Sequence, residues 1–356
     1  RSEQSNALEK IFVKNVKTNI EEEIKFVDEK VIVPGISLIQ RDKNTDLVRL
    51  SYSSPKTQSR VYLYNLKTKE KKLVKEQEIP SGHNPEDYIV ERLECKSHDG
   101  RIVPITITRH KKTKIDGSAN LLLYGYGSYG SSMSPSFSST RLSLINRDII
   151  WVTAHIRGGM ERGMKWWKEG KLLNKKNTFE DYIAVAKFLI EKKYTSSKKI
   201  IGMGGSAGGL LMGAVVNQTP ELFLGIIMAV PFVDSLTTNL DHTLPLTVGE
   251  FEEFGNAKDN KEHFDYIFSY APYNNVKKMN YPHMLITTSL SDNRVLFDEP
   301  AKFTAKLREY KTDNNLLLLK TEMKAGHGGK SGRDGAIEEI AIDYAFALKI
   351  SKKINS

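Results

Sequence analysis

The chain has 356 residues, 39% of them hydrophobic, which is long enough to bury a full core and a second small domain. Cys95 is the only cysteine, which excludes an intramolecular disulfide and a cysteine-based zinc site and predicts a reducing, cytoplasmic compartment. The longest apolar run, Leu222–Val233, is too short to span a bilayer, so no membrane partner is expected. The first residue is Arg1 rather than Met, which predicts a fragment or a processed product.

The 53 Lys and Arg residues outnumber the 43 Asp and Glu residues, for a net charge of +10. A nucleic-acid-binding protein would gather this charge on one face or within a recognisable motif. Here the lysines are scattered through turns and helix faces, usually beside acids, as in Lys67–Lys72. A solvated surface therefore explains the charge better than a nucleic-acid partner does.

Residues 1–85 predict short antiparallel strands separated by polar turns. Hydrophobic residues alternate at period two in Leu47–Tyr52 and Arg60–Tyr64, and a turn then leads to another strand near Leu73. Three to five strands are expected, which are too few for a closed domain and indicate the last part of something larger. Ser81–Pro85 has the composition of a linker, so a domain boundary is expected there.

In residues 86–356, a hairpin is predicted first, over residues 88–107, and alternating strands and helices are predicted after it. The apolar runs of strand length are Asn120–Tyr124, Ile149–His155, Lys199–Met203, Gly225–Val230, His283–Thr288 and Leu316–Lys320. Helices are expected over Asn177–Lys193, which begins with capping-box spacing, Pro300–Tyr310 and Ala336–Ile350. This alternation predicts an α/β fold with a doubly wound, mainly parallel sheet, whose functional residues lie at the carboxyl ends of the strands.

The run Ile200–Leu211 joins an apolar strand, a glycine-rich turn and the start of an apolar helix. Gly204, Ser206 and Gly208 form the G-x-S-x-G pattern of a nucleophile elbow. Such a turn strains the backbone of the serine and needs glycines on both sides to avoid clashes. The hydroxyl is then held clear of the sheet, and the N–H of Ala207 is free to bind an oxyanion. Phosphate binding and plain tight packing are the alternatives.

A serine nucleophile needs a base and an orienting acid, which follow it in the order acid, histidine in this class of sheet. His327 follows the last predicted strand and lies among glycines, which free the backbone of the turn; a surface-loop histidine is the alternative. Asp292 directly follows the preceding strand and is the preferred acid. Asp298 and Glu299 compete with it, but they begin a helix, where acids are common first-turn charges.

An oxyanion hole needs a second donor besides a backbone N–H. Tyr126 lies between two glycines within Tyr124–Gly130, just after the first strand of the α/β region. Its hydroxyl is the candidate for that donor. A tight turn with aromatic packing explains the same spacing equally well.

Together these residues resemble the prolyl oligopeptidase family of serine peptidases. The segments that carry the resemblance are Tyr124–Gly130, His155–Gly159, Gly204–Gly209, Asp292–Val295 and Gly326–Gly329. Those similar to its oligopeptidase B (protease II) branch are Lys175–Phe179, Pro231–Asp234, Gly249–Asn256 and Gly328–Arg333. The similarity is dense over residues 85–350 and weaker before them.

The resemblance implies that residues 86–356 form an α/β-hydrolase catalytic domain, which in the family is capped by a β-propeller that admits only short peptides. Residues 1–85 then correspond to a partial β-propeller remnant and a linker. No cofactor and no metal are expected. The resemblance implies short basic peptides as substrates.

The resemblance also implies roles for individual residues. Ser206 corresponds to the nucleophile, with Asp292 and His327 as its partners. The Tyr126 hydroxyl and the Ala207 N–H correspond to the oxyanion hole.

The oligopeptidase B branch cleaves after Arg or Lys, and Glu250 resembles the carboxylate that binds this basic side chain. The alternative is a solvated acidic turn formed by Glu250, Glu252 and Glu253. Arg294 resembles the family's arginine that donates to a backbone carbonyl of the substrate. The segment Ser132–Phe137 lacks the acids that basic-specific relatives often carry there, which leaves the preference for a second basic residue open.

The sequence therefore predicts a serine-type oligopeptidase that hydrolyses short peptides after Arg or Lys. A general carboxylesterase on the same fold, with a pocket indifferent to charge, is one alternative. A truncated, non-catalytic remnant is the other, because most of the expected propeller is missing from the sequence.

Overall fold

The computed structural model describes residues 1–26, 29–39 and 45–353. Its N-terminal strands are β1 (Ser2–Ser5), β2 (Leu8–Lys14), β3 (Glu21–Glu23), β4 (Val33–Leu38), β5 (Leu47–Ser53), β6 (Arg60–Asn65) and β7 (Lys71–Glu76). They form a three-stranded sheet, β1-β2-β3, and a four-stranded antiparallel meander, β4-β5-β6-β7.

The expectation of three to five strands in this region is wrong, since the described residues contain seven. Strand β3 shows the physical reason. Its three glutamates are all exposed, so it carries no hydrophobic alternation, and its backbone pairing with β2 alone makes it a strand. The division of the chain at residue 85 stays a prediction, supported by the change from these small sheets to a large one between β7 and the next strand.

The large sheet has eight strands in the order β15-β14-β13-β12-β10-β11-β9-β8. They are β8 (Tyr88–Lys96), β9 (Ile102–His110), β10 (Asn120–Tyr124), β11 (Ile149–Ala154), β12 (Ile200–Gly205), β13 (Phe223–Ala229), β14 (His283–Ser289) and β15 (Leu317–Glu322). The strands from β10 to β15 are parallel, while β8 and β9 form the expected hairpin at one edge. The sheet is therefore mainly parallel, and its carboxyl ends meet at one edge.

Helices cover both faces of this sheet. They are α1 (Leu142–Ile145), α2 (Met164–Lys168), α3 (Lys176–Glu191), α4 (Ala207–Gln218), α5 (Ser235–Leu240), α6 (Phe251–Phe254), α7 (Lys261–Phe268), α8 (Asp298–Tyr310) and α9 (Arg333–Ile350). One hydrophobic core packs α3, α4 and α8 on one face, and a second packs α1 and α9 on the other. None of the helices in the described ranges combines the length and apolar character that crossing a membrane requires.

The start of α3 differs from the expected capping box. The helix begins at Lys176, one residue before Asn177, and no side chain caps it. The Asn177 amide instead donates to the carbonyl oxygen of Glu169 at 2.9 Å, and the Thr178 hydroxyl donates to that of Arg157 at 3.0 Å. The polar side chains at the helix start are thus used for contacts with preceding loops, which local spacing does not reveal.

Candidate active site

Ser206 lies at the sharp turn between the end of β12 and the start of α4. Its backbone has φ 56° and ψ −120°, a region that a residue with a Cβ rarely adopts. The turn is held by a hydrogen bond from the Ser206 N–H to the carbonyl oxygen of Ala229 at 2.8 Å. A Cβ at Gly204 would collide with the backbone carbonyl of Gly208, so the first glycine of the pattern is required by close approach of the helix.

Three polar side chains from three different loops meet at this turn. The Ser206 Oγ lies 3.0 Å from Nε2 of His327, and Nδ1 of that imidazole lies 2.7 Å from Oδ2 of Asp292. His327 lies in a tight turn between β15 and α9, closed by a hydrogen bond from the Gly329 N–H to the Gly326 carbonyl oxygen. The geometry is that of a nucleophile, a base and an acid that orients the base.

Asp292 is buried in the loop that follows β14. While Oδ2 faces the imidazole, Oδ1 accepts hydrogen bonds from the backbone N–H groups of Arg294 and Val295 at 2.9 and 3.0 Å. These bonds fix the plane of the carboxylate. Arg294, two residues further along this loop, is exposed.

The two competing acids have other partners. Asp298, the first residue of α8, forms an ion pair with Lys302 at 3.2 Å. Glu299 is buried and accepts hydrogen bonds from the backbone N–H groups of Val233 and Asp234 at 3.1 and 2.9 Å. Both carboxylates are thus engaged away from the imidazole.

Tyr126 and Ala207 both face the serine. The Tyr126 hydroxyl interacts with the Ser206 side chain, and burial, together with the neighbouring Tyr124 and the carboxylates of Glu253 and Glu250, raises the pKa of Tyr126 to about 12. The phenol therefore keeps its proton at neutral pH and can donate it in a hydrogen bond. The N–H of Ala207 belongs to the first turn of α4, where backbone donors have no acceptor within the helix.

The three glutamates of the 250–253 segment have different environments. Two of them form ion pairs, Lys171 with Glu252 at 2.9 Å and Lys175 with Glu253 at 3.3 Å. Glu250 is half-buried and accepts a hydrogen bond from the Tyr129 hydroxyl at 2.9 Å, and no ion pair to it is found in the part of the chain that the structure describes. Burial raises the pKa of Glu250, and the bond from Tyr129 offsets part of that shift.

Glu250 is linked to the serine through two tyrosines. Its hydrogen-bond donor Tyr129 packs against Tyr126 with ring centroids 6.4 Å apart, and Tyr126 in turn contacts Ser206. The structure therefore joins Ser206, His327 and Asp292 by direct contacts, and it links Glu250 to Tyr126 through Tyr129.

Sequence inspection missed the contacts of Lys175. This buried lysine donates hydrogen bonds to the carbonyl oxygen of Gly127 and the hydroxyl of Ser128, in the loop that carries Tyr126. In the sequence it is one of two adjacent lysines before a helix, and nothing in that pattern separates it from Lys176.

Several known proteins are similar to this chain over most of its length. The sequence profile of the prolyl oligopeptidase family matches residues 135–353. Dipeptidyl aminopeptidase BI from Pseudoxanthomonas mexicana is 43% identical over 348 residues, which are 98% of this chain and 47% of that protein. Protease 2 from Moraxella lacunata is 46% identical over 311 residues, which are 87% of this chain and 45% of that protein.

Solved structures show the same likeness. Oligopeptidase B from Trypanosoma brucei, in a closed form with covalently bound antipain, is 38% identical with a TM-score of 0.92, and the match covers 99% of this chain and 50% of that one. Oligopeptidase B from Leishmania major is 36% identical with a TM-score of 0.91 and the same coverage, 99% and 50%. The chain spans about half the length of the relatives it matches.

These findings confirm the expected resemblance, including the likeness to the oligopeptidase B branch, and the expected fold class of an α/β-hydrolase sheet preceded by antiparallel strands. The chain belongs to the prolyl oligopeptidase family.

Proposed function

We propose that this chain carries the catalytic site of a serine oligopeptidase that hydrolyses short peptides after Arg or Lys. The observation that carries the proposal is the continuous contact from Ser206 Oγ to His327 at 3.0 Å and from His327 to Asp292 at 2.7 Å. The serine has the strained backbone of a nucleophile elbow, and α4 begins directly after it. These are the parts that acyl transfer needs.

The reaction follows from the positions of the donors and acceptors. Ser206 Oγ attacks the scissile carbonyl carbon while His327 Nε2 takes its proton, and the imidazolium then gives that proton to the leaving amine. Asp292 keeps the Nδ1–H tautomer and stabilises the imidazolium. Water then hydrolyses the acyl-enzyme by the same proton path.

The developing oxyanion is stabilised by the Tyr126 hydroxyl and the Ala207 N–H. The raised pKa of Tyr126, about 12, supports its role as a neutral donor. We assign Arg294, which is exposed in the same loop as Asp292, to donate to a backbone carbonyl of the bound peptide.

The preference for a basic residue rests on Glu250. Of the three glutamates in its segment, it is the one without a lysine partner among the described residues, and it is half-buried close to the oxyanion tyrosine. A half-buried carboxylate without a counter-ion gains most from a substrate cation, because the cation offsets its desolvation. A substrate guanidinium or ammonium therefore fits there.

We place the chain in a reducing compartment such as the cytoplasm, because Cys95 is its single cysteine and is buried. Residues 1–85 are assigned to a partial β-propeller and residues 86–356 to the catalytic domain.

The test is hydrolysis of N-blocked fluorogenic amides with Arg, Lys or Pro before the scissile bond, beside an uncharged aryl ester. Ser206→Ala is the blank for every substrate. We expect serine-dependent cleavage of the Arg and Lys amides and no cleavage of the Pro amide. Cleavage of the ester alone would instead support the carboxylesterase alternative.

Two further measurements test for a dipeptidyl aminopeptidase activity and for a non-catalytic remnant. A free-amine dipeptidyl-Arg amide, compared with its N-blocked form, tests the activity for which the relative dipeptidyl aminopeptidase BI is named. A chain that melts cooperatively and cleaves none of the substrates would contradict the proposal and support the non-catalytic remnant.

A further inference from the structure

Lys175 is a buried cation that holds the loop of the oxyanion tyrosine. Its side chain is 1% exposed, and Nζ donates to the Gly127 carbonyl oxygen at 2.7 Å and to the Ser128 hydroxyl at 2.6 Å. Both acceptors directly follow Tyr126 in the chain. The third neighbour of Nζ is the carboxylate of Glu253 at 3.3 Å.

Glu253 connects the same lysine to the segment that carries Glu250. Its side chain is 3% exposed, and its second carboxylate oxygen accepts a hydrogen bond from the Trp167 indole at 2.8 Å. Glu253 is the third residue of α6, and Glu250 immediately precedes that helix. One buried ion pair thus links the oxyanion loop to the proposed pocket for the basic side chain.

Tyr129 forms a second contact between the loop of Tyr126 and α6, at the protein surface. Its hydroxyl donates to Glu250 at 2.9 Å, and its ring packs edge-on against Phe254 with centroids 5.8 Å apart. The loop and α6 therefore contact each other both inside, through Lys175, and at the surface, through Tyr129.

Fold stability alone does not account for such a pair. Removing two charges from water costs free energy that their attraction barely repays, and apolar replacements of buried pairs are often neutral or stabilising. Burial lowers the pKa of Lys175, with Glu253 acting in the opposite direction. Desolvation therefore destabilises the charged form of the lysine at this position. What the lysine adds is two directed hydrogen bonds to one loop, which an apolar side chain cannot make.

We propose that Lys175 is a positioning residue that holds the Tyr126 hydroxyl against Ser206, with Glu253 as its counter-ion. The inference rests on the proposed function, because it assigns Lys175 an effect on the same oxyanion hole. Loss of the two hydrogen bonds frees the Tyr126 loop, and misplacement of a donor by a fraction of an ångström weakens transition-state stabilisation.

The decisive variant is the double substitution Lys175→Met with Glu253→Gln. It removes both charges together, so no buried charge is left unpaired, and Met and Gln keep the approximate volumes. We expect kcat to fall roughly tenfold to a hundredfold for both the Arg amide and the aryl ester, with little change in KM for the ester. Lys171→Met removes the neighbouring lysine of the same segment and is the matched control, with unchanged kcat expected.

The readout that a purely structural role would not move is the coupling to Tyr126. The double substitution is repeated in a Tyr126→Phe background, where the donor is already absent. We expect most of the loss in kcat to disappear there, because Lys175 acts through that hydroxyl. An equal loss in both backgrounds, or a folded double variant with unchanged kcat, would overturn the inference.

Ser128→Ala keeps the test decisive if the double variant does not fold. It removes one acceptor of Lys175 and leaves the ion pair in place, so a smaller loss of kcat is expected that again vanishes with Tyr126→Phe. An unchanged kcat in Ser128→Ala, or a loss that persists in the Tyr126→Phe background, would count against the proposal.

The experiments distinguish a failure of this inference from a failure of the proposed function. If Ser206→Ala retains the activity, or if the wild-type chain has none, the proposed function fails and the inference fails with it. Suppose instead that Ser206→Ala is inactive and that the Lys175/Glu253 double substitution lowers kcat by the same factor with Tyr126 and with Tyr126→Phe. In that case only the role of Lys175 is refuted.

Discussion

The imidazole of His327 lies 2.7 Å from the carboxylate of Asp292, although 35 residues separate them in the chain. Each comes from a loop that follows one of two adjacent parallel strands, β15 and β14, so the register of the sheet brings the loops together. The other oxygen of Asp292 is held by two backbone N–H groups, which leaves one oxygen for the imidazole.

This arrangement predicts a large effect of Asp292→Asn. The amide oxygen retains the two backbone bonds, so the NH2 group faces Nδ1 and favours the wrong tautomer of His327. We expect kcat to fall about ten-thousandfold with little loss of thermal stability. Steady-state kinetics on the Arg amide measure this, with Asp298→Asn as the matched control. Similar kcat values for the two variants would contradict the assignment of the acid.

We expect removal of the proposed nucleophile or of the proposed base to have a still larger effect. Ser206→Ala and His327→Ala should each lower turnover roughly a millionfold, because neither residue works without the other. The double variant should be no slower than either single one. Substantial activity in either single variant would exclude this triad.

The proposed role of Glu250 in binding a basic side chain can be tested by removing its charge. Glu250→Gln keeps the shape and the hydrogen bond from Tyr129 but removes the charge. We expect kcat/KM for the Arg amide to fall roughly ten- to a hundredfold, with the aryl ester unaffected. Glu252→Gln, whose side chain is 74% exposed and paired with Lys171, is the control and should leave both substrates unchanged. An unchanged ratio between amide and ester in Glu250→Gln would remove the basis of the specificity proposal.

Glu299 predicts how stability depends on pH. Burial raises the pKa of this carboxyl from 4.5 to about 7, so the folded state binds its proton more tightly than the unfolded state does. The stabilisation from that proton is present below the unfolded pKa and is lost as pH rises through the folded pKa. Between pH 4.5 and 7 this one group therefore lowers the free energy of unfolding by about 3 kcal/mol as pH rises.

Glu299→Gln isolates that contribution. Its amide can still accept from the two backbone N–H groups but does not titrate, so the variant should lose less stability than the wild type over this range. Urea unfolding at pH 5 and pH 7.5 measures the difference between the two proteins. Parallel pH profiles would show that the carboxyl does not titrate there.

The close packing of the nucleophile elbow predicts that Gly204 cannot be replaced by a larger residue without strain. A methyl group at this position meets the backbone carbonyl of Gly208, which cannot move without displacing the start of α4. Gly204→Ala should lower the free energy of unfolding by about 1–3 kcal/mol and also reduce kcat, because it displaces the nucleophile. Gly249→Ala, where a Cβ would meet no atom within 4 Å, is the control and should change stability by less than about 0.5 kcal/mol. Equal melting temperatures for the two variants would contradict the close contact.

Much of the candidate site could be predicted from the sequence because the patterns that indicate it are local. The elbow around Ser206, the glycines around His327 and the position of Asp292 after a strand each depend on neighbours within a few residues. The unbroken apolar runs likewise predicted the strands of the parallel sheet, with Asn120–Tyr124 matching β10 at both ends. The exposed strand β3 lacked such a signal, which is why the strand count of the N-terminal region was too low.

By itself, then, the sequence predicted the fold class from hydrophobic periodicity and the serine, aspartate and histidine candidates from short motifs, which act over short distances. Its resemblance to known peptidases supplied the family and the other candidate residues. Only the tertiary structure decided which partners those residues have. Within the described residues it left Glu250 without the lysine partner that Glu252 and Glu253 possess, and it brought Lys175 from a loop before α3 onto the loop of Tyr126. Such contacts join residues tens of positions apart through side chains whose direction depends on how whole loops pack, and no local pattern encodes that.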